Sequence, residues 1–124
     1  MKLYLDTNVY LDFFLERAKS KPAEKLFIQT VSCKHSIIIS DHLLVELTRH
    51  LDYQKAALLF HILKPKCIQV TLEEKDKAEA KKLCTHYADA LHIILARKAG
   101  AELIVTNNIK DFYSLFKSKR PEDL

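Results

Sequence analysis

The sequence predicts one α/β domain, a three-layer α/β/α sandwich around a mainly parallel sheet of four or five strands. Three observations carry that expectation. Short apolar runs recur at residues 3–5, 36–40, 67–70 and 102–105; segments of helical periodicity separate them; and small polar or acidic residues stand just beyond several of their carboxyl ends. Strands divided by helices favour parallel pairing, because the helix carries the chain back to the edge where the next strand starts. A chain of 124 residues supplies a single core, so the expected domain spans residues 1–124.

The first strand, Leu3-Tyr4-Leu5, runs directly into Asp6-Thr7-Asn8. In open α/β sheets ligands bind just outside the carboxyl ends of strands, so Asp6 stands where a site is expected; Asp6 or Thr7 also suits a helix cap. A first helix over roughly residues 8–16 carries Val9, Leu11, Phe13, Phe14 and Leu15. Pro22 opens a second helix, in which Ala23, Leu26, Phe27, Thr30 and Val31 recur at helical spacing to about Cys33.

Ser36-Ile37-Ile38-Ile39-Ser40 is β-branched and apolar in its middle, as in a strand buried on both faces. Ser40 or Asp41 caps the next helix, where Leu43, Leu44, Leu47 and Leu51 mark one face and Glu46 lies at its margin. A further helix covers Tyr53 to Leu63, and Cys67 to Val70 forms the third strand. The stretch from Thr71 interleaves Glu73, Glu74, Lys75, Asp76, Lys77, Lys81 and Lys82, which suits a solvated helix face with ion pairs.

Tyr87 to Ala99 is apolar almost all round and is expected at the centre of the fold, with Gly100 as its left-handed stop. Glu102 to Val105 is the fourth strand, and Thr106-Asn107-Asn108-Ile109-Lys110-Asp111 leaves its carboxyl end. Ser118-Lys119-Arg120 is a poor strand by composition, so a four-stranded sheet with a loose tail is the alternative to five strands.

Composition removes several classes of chemistry. Gly100 is the sole glycine, which excludes a phosphate-cradling P-loop, a dinucleotide-binding turn and a nucleophile elbow. Cys33, Cys67 and Cys84 show no C-x-x-C spacing and read as reduced thiols in or near the core. The six histidines form no H-E-x-x-H, and His86 and His92 read as ordinary helix residues. No apolar run approaches the roughly eighteen residues of a spanning helix, which points to a cytoplasmic protein. The net charge of +4 mildly favours a polyanionic partner.

Four acids remain: Asp6, Glu46, Asp89 and Asp111. Parallel topology brings the ends of strands one, two and four to a single edge, and these acids with them. Carboxylates that converge in a half-buried cleft repel one another unless a cation lies among them. Oxygen ligands suit Mg2+ or Mn2+, and such a site suits in-line hydrolysis of a phosphodiester.

The blocks Leu5-Asp6-Thr7-Asn8, Ile39-Ser40 with Glu46 downstream, Ala88-Asp89-Ala90-Leu91-His92, and Val105-Thr106-Asn107-Asn108-Ile109-Lys110-Asp111-Phe112 resemble the four signature blocks of PIN domains. The resemblance is nearest to small prokaryotic ribonucleases that act as VapC-type toxins. It implies a metal-dependent endoribonuclease in which Asp6, Glu46 and Asp89 match the family's acids, with Mg2+ or Mn2+ as cofactor. The fourth family position falls on Asn108, with Asp111 nearby, so either completes the ligand set, around one metal or two. Thr7, Asn8 and Thr106 become orienters of the carboxylates. Lys110, Lys117, Lys119 and Arg120 are candidates for tracking RNA. A cognate antitoxin and a homodimer are implied partners. The competing expectation is a PIN-like RNA-binding or adaptor module whose site is catalytically weak.

Overall fold

A computed structural model describes residues 1–83 and 85–124. The chain runs β1 (Lys2–Leu5), α1 (Thr7–Phe14), α2 (Ser20–Val31), β2 (Ser36–Ser40), α3 (Asp41–Thr48), α4 (Tyr53–Leu63), β3 (Cys67–Val70), α5 (Glu74–Ala80), α6 (Tyr87–Lys98), β4 (Leu103–Val105) and β5 (Ser118–Lys119). Single 3-10 turns follow α4, β4 and β5. The strands form one sheet in the order β3-β2-β1-β4-β5, and every pairing is parallel. This is the α/β sandwich expected, with five strands rather than four.

Alternation along the central strands sorts the helices onto two faces. Leu3 and Leu5 of β1, Ile37 and Ile39 of β2, and Leu103 and Val105 of β4 share one cluster with the buried residues of α1 to α4. Tyr4, Ile38 and Ile104 point the other way, against Ile93, Leu95 and Ala96 of α6 and against Phe112. α5 packs on α6 through Ala80, Ala90, Leu91 and Ile94. Each fully buried large side chain contributes on the order of 1.5–3 kcal/mol, which makes β1, apolar on both faces, the anchor of the sheet. α6 is buried continuously from Ala90 to Ala96, as its apolar composition requires.

Several boundaries differ from the sequence expectation for identifiable reasons. α1 starts at Thr7 and ends at Phe14, because Glu16 takes a positive φ of 50° that ends the helix. α2 begins at Ser20, placing Pro22 within the first turn, where its missing N–H is no loss. Leu44 is exposed although Leu43 and Leu47 are buried, so the buried stripe of α3 is narrower than four leucines suggest. Cys33 is exposed at the end of α2, where it adopts a φ of 69°; this corrects the expectation of a core thiol. Cys67 is partly buried, and burial pushes its thiol up to about 11. Cys84 lies outside the described residues.

The fifth strand owes its place to its partner. Ile104 N–H donates to the Lys117 carbonyl and Thr106 N–H to the Lys119 carbonyl, each at 3.0 Å. Arg97, from the last turn of α6, donates to the Leu115 carbonyl at 3.0 Å and steers the segment before it. β4 would otherwise present an open edge, and two residues suffice to cover it.

Candidate active site

The order of strands reverses between β1 and β4, since β2 and β3 lie on one side of β1 and β4 and β5 on the other. In such sheets this is the crevice in which ligands bind. Asp6 stands in it, its N–H donating to the Val105 carbonyl at 2.9 Å. Asp6 is the residue before α1 but its side chain caps no helical N–H. Instead Thr106, just beyond β4, donates its hydroxyl to Asp6 Oδ2 at 2.9 Å. The Asn108 N–H in turn donates to Thr106 Oγ1 at 2.9 Å.

Burial pushes the Asp6 carboxyl above the ordinary aspartate range, and the charge of Glu46 adds to the rise; His92 and the Thr106 hydroxyl oppose it. Asp89, half-buried in the first turn of α6, is also raised, first by burial and then by the charges of Asp6 and Asp111. Asp89 therefore feels the charge of two aspartates from distant parts of the chain. Asp111 accepts a hydrogen bond from the Asn108 amide, so these two alternatives for the fourth position are in direct contact. Asn107 donates to Asp12 Oδ2 at 2.9 Å and ties this loop to α1. Asp12 is a buried carboxylate that the sequence pattern did not single out.

Glu46 comes from α3, and its neighbours were not legible in the sequence. Thr7 donates its hydroxyl to Glu46 Oε1 at 2.8 Å. His92 Nε2 lies 2.5 Å from the same oxygen, and His42 Nε2 lies 3.4 Å from it. His92 is thus no ordinary helix residue: it is buried, one turn beyond Asp89, with its ring against Glu46. Burial raises the Glu46 carboxyl, but the His92 hydrogen bond and charge, the Thr7 hydroxyl and the charge of His42 outweigh that and hold it at about 2.

Behind His92 runs a buried relay. The Leu43 N–H donates to Ser40 Oγ at 3.0 Å, capping α3. Ser40 Oγ lies 2.9 Å from the Tyr4 hydroxyl, which lies 2.7 Å from His92 Nδ1. The Tyr4 hydroxyl thus bridges Ser40 and His92 Nδ1, and these contacts fix the ring with Nε2 towards Glu46. Burial holds the Tyr4 phenol well above its usual range, so it stays protonated. A His-x-x-x-Glu step on α3 (His42 to Glu46) and an Asp-x-x-His step on α6 (Asp89 to His92) were the sequence signals available. Each spacing puts two polar side chains on one helix face.

Asn8 is exposed on the first turn of α1 and makes no side-chain hydrogen bond among the described residues. Lys110, Lys117, Lys119 and Arg120 are all exposed. Val105 pairs with Lys119 across β4 and β5, which places Lys119 and Arg120 towards the carboxyl edge of the sheet, the edge of Asp6.

The arrangement defines a class: parallel α/β proteins with a cluster of carboxylates at the switch point of the sheet. A family model for the PIN domain matches residues 2–110, and the chain belongs to that family. No curated protein matches it in sequence. Among solved structures, VapBC2 from Rickettsia felis, bound to a DNA fragment from its promoter, is similar with a TM-score of 0.66 and 20% identity. That match covers 97% of this chain and 98% of the other. FitAcB from Neisseria gonorrhoeae is similar with a TM-score of 0.63 and 14% identity, over 98% and 99% of the two chains. VapC20 from Mycobacterium tuberculosis, a Sarcin-Ricin loop cleaving toxin, has a TM-score of 0.61 and 16% identity, over 82% and 86%. At such identities the likeness is one of fold.

Proposed function

We propose that this protein is a divalent-metal-dependent endoribonuclease and the toxin partner of a toxin–antitoxin pair. The observation that carries the reading is the convergence of acids at the switch point, where the charges of Asp6 and Asp111 reach Asp89. Burial raises the Asp6 and Asp89 carboxyls, and the charges of Asp6 and Asp111 raise Asp89 further, a repulsion that a bound cation would relieve. The donors fit Mg2+ or Mn2+, being carboxylate and amide oxygens. Asp6 and Asp89 would hold the ion, with Asn108 or Asp111 completing the set and Glu46 as a further oxygen ligand. The bound ion supplies Lewis acidity towards the phosphoryl group and lowers the pKa of the attacking water.

The protein's own part is orientation. Thr106 holds Oδ2 of Asp6 with its hydroxyl. Thr7 and His92 occupy Oε1 of Glu46 and leave Oε2. With its carboxyl at about 2, Glu46 is a permanent anion at neutral pH, suited to holding a cation or a water rather than taking up a proton. Beside Asp111, a polar groove lined by Thr85, His86, Lys110 and Ser114 offers a path for a phosphate backbone. Lys110, Lys117, Lys119 and Arg120 would track it, so binding should weaken steeply with salt.

The partner proteins belong to the same reading. Leu44, Val45, Tyr53, Leu58 and Ile62 leave apolar side chains on the surface of α3 and α4, which supports contact with an antitoxin or a second copy. The solved relatives include VapBC2 and FitAcB.

The test is cleavage of end-labelled RNA by metal-free protein resupplied with Mg2+ or Mn2+. Fragments carrying 5′-phosphate and 3′-hydroxyl ends are expected, with Asp6→Asn and Asp89→Asn reduced to background. Asn108, an amide where an acid would bring more charge, favours a second reading as a catalytically weak RNA-binding module. RNA retention without metal-dependent cleavage would select that reading.

A further inference from the structure

We propose that His42, Glu46 and His92 form a second cation site, distinct in chemistry from the aspartate cluster, that takes a borderline transition-metal ion such as Zn2+ in preference to Mg2+. The three donor atoms converge within 4.8 Å of one another. Two are imidazole nitrogens, which suit zinc, cobalt and nickel but not magnesium. Two histidines with one glutamate is a ligand set that holds zinc while leaving a position open.

The second observation is the way each ring is held. His92 presents Nε2 to Glu46 because the Tyr4 hydroxyl engages Nδ1 at 2.7 Å. His42 packs beside the Ala88 backbone, and its buried Nε2 has no hydrogen-bond partner among the described residues. That nitrogen stands 3.4 Å from a Glu46 carboxylate oxygen. A buried imidazole nitrogen that makes no hydrogen bond gains little from standing beside a carboxylate oxygen. A cation between them turns the contact favourable. Zinc-bound histidines show this same division of labour, with one ring nitrogen on the metal and the other tied to a carbonyl or a neighbouring polar group.

The spacing suits such an ion. Zinc–nitrogen bonds of about 2.0–2.1 Å at a tetrahedral angle separate ligand atoms by about 3.3 Å. His42 Nε2 and Glu46 Oε1 already stand at 3.4 Å. His92 Nε2 is closer, at 2.5 Å, so the carboxylate must draw back by several tenths of an ångström when the ion replaces their shared proton. With the ion on Nε2, the remaining ring proton sits on Nδ1 and is donated to the Tyr4 hydroxyl. Because Glu46 is shared, Zn2+ here would compete with the aspartate cluster for it; that consequence alone rests on the nuclease reading.

The experiment titrates the metal-free full chain with Co2+ and reads visible absorption. One equivalent should give the intense band of a four- or five-coordinate ion with nitrogen ligands, displaced by Zn2+ and unmoved by a large excess of Mg2+. His42→Ala should weaken Co2+ and Zn2+ binding by at least roughly tenfold. His42 is a partly exposed residue near the start of α3, so that variant should fold; its circular dichroism would be compared with wild type. Asp89→Asn should keep the band. A weak six-coordinate spectrum, displacement by Mg2+, or a band indifferent to His42→Ala would overturn the site. Zn2+ inhibition of the Mg2+-supported cleavage, relieved in His42→Ala, supports the competition; Co2+ binding without that inhibition overturns the competition and leaves the site.

Discussion

Thr106 is committed twice: its hydroxyl proton goes to Asp6, and its lone pair accepts the Asn108 N–H. It is fully buried, so neither contact is shared with water. Thr106→Val keeps the shape and removes both bonds, leaving a buried carboxylate and a backbone N–H without partners. A loss of about 1–3 kcal/mol in unfolding free energy is expected, measured by urea denaturation. Mn2+ affinity should fall by about 10–100-fold, because Asp6 loses its orienting donor. Retention of wild-type affinity would show that Asp6 needs no such support. Asp6 could be named from the chain because a carboxylate just past an apolar strand is conspicuous, and Glu46 and Asp89 because each stands out on a helix that is otherwise largely apolar on its packed face. His42 and His92 could not, since their role depends on which way two helices turn towards each other.

At the scale of elements, the junction of α5 and α6 shows what the charged run after Thr71 does. Glu73 and Asp76 form a reciprocal capping box at the start of α5. Lys98, in the last turn of α6, donates to the Thr71 carbonyl, to Glu73 Oε1 and to Asp76 Oδ2 at 2.7, 2.8 and 2.9 Å. The stretch is thus more than a solvated face: Asp76 is buried and clamps two helices together. Asp76→Ala removes a cap and a charge-assisted bond and should cost about 2 kcal/mol, seen as a lower thermal midpoint. Glu74→Ala, which loses only a surface pair to Lys77 at 3.1 Å, should cost less than about 0.5 kcal/mol. Equal effects would refute the clamp. Helix positions and most strand limits were legible from periodicity; the joining of α5 to α6 across about twenty residues was not.

For the molecule as a whole, the acids make stability depend on pH in two opposite windows. Asp6 and Asp89 have raised carboxyls in the folded state. Folded protein then holds more protons than unfolded protein above the ordinary aspartate value of 3.8, so stability falls as pH rises through that window. Glu46 is held at about 2 against an ordinary 4.5, so its contribution is present above 4.5 and is lost as pH falls towards 2. Thermal midpoints of metal-free protein should therefore pass through a maximum in mildly acidic solution. Asp6→Asn should raise the midpoint at neutral pH, and Mn2+ should raise that of wild type more than that of the variant. A flat profile with no response to the ion would mean that the carboxylates do not act on one another.

The sequence by itself determined the helix–strand alternation, the parallel sheet and the acids at its carboxyl edge. These follow from local periodicity and from the topological rule that a helix returns the chain to the same edge. Tertiary structure decided the rest. Ser118 and Lys119 became a strand because β4 had an edge to cover, not because their composition favours one. Tyr4, Ser40, His42 and His92 became one network around Glu46 because the pleat of β1 turns Tyr4 towards α6 while Leu3 and Leu5 turn away. A hydrogen bond between residues 88 positions apart leaves no periodic trace in the chain; it exists only once the helices have packed on the sheet.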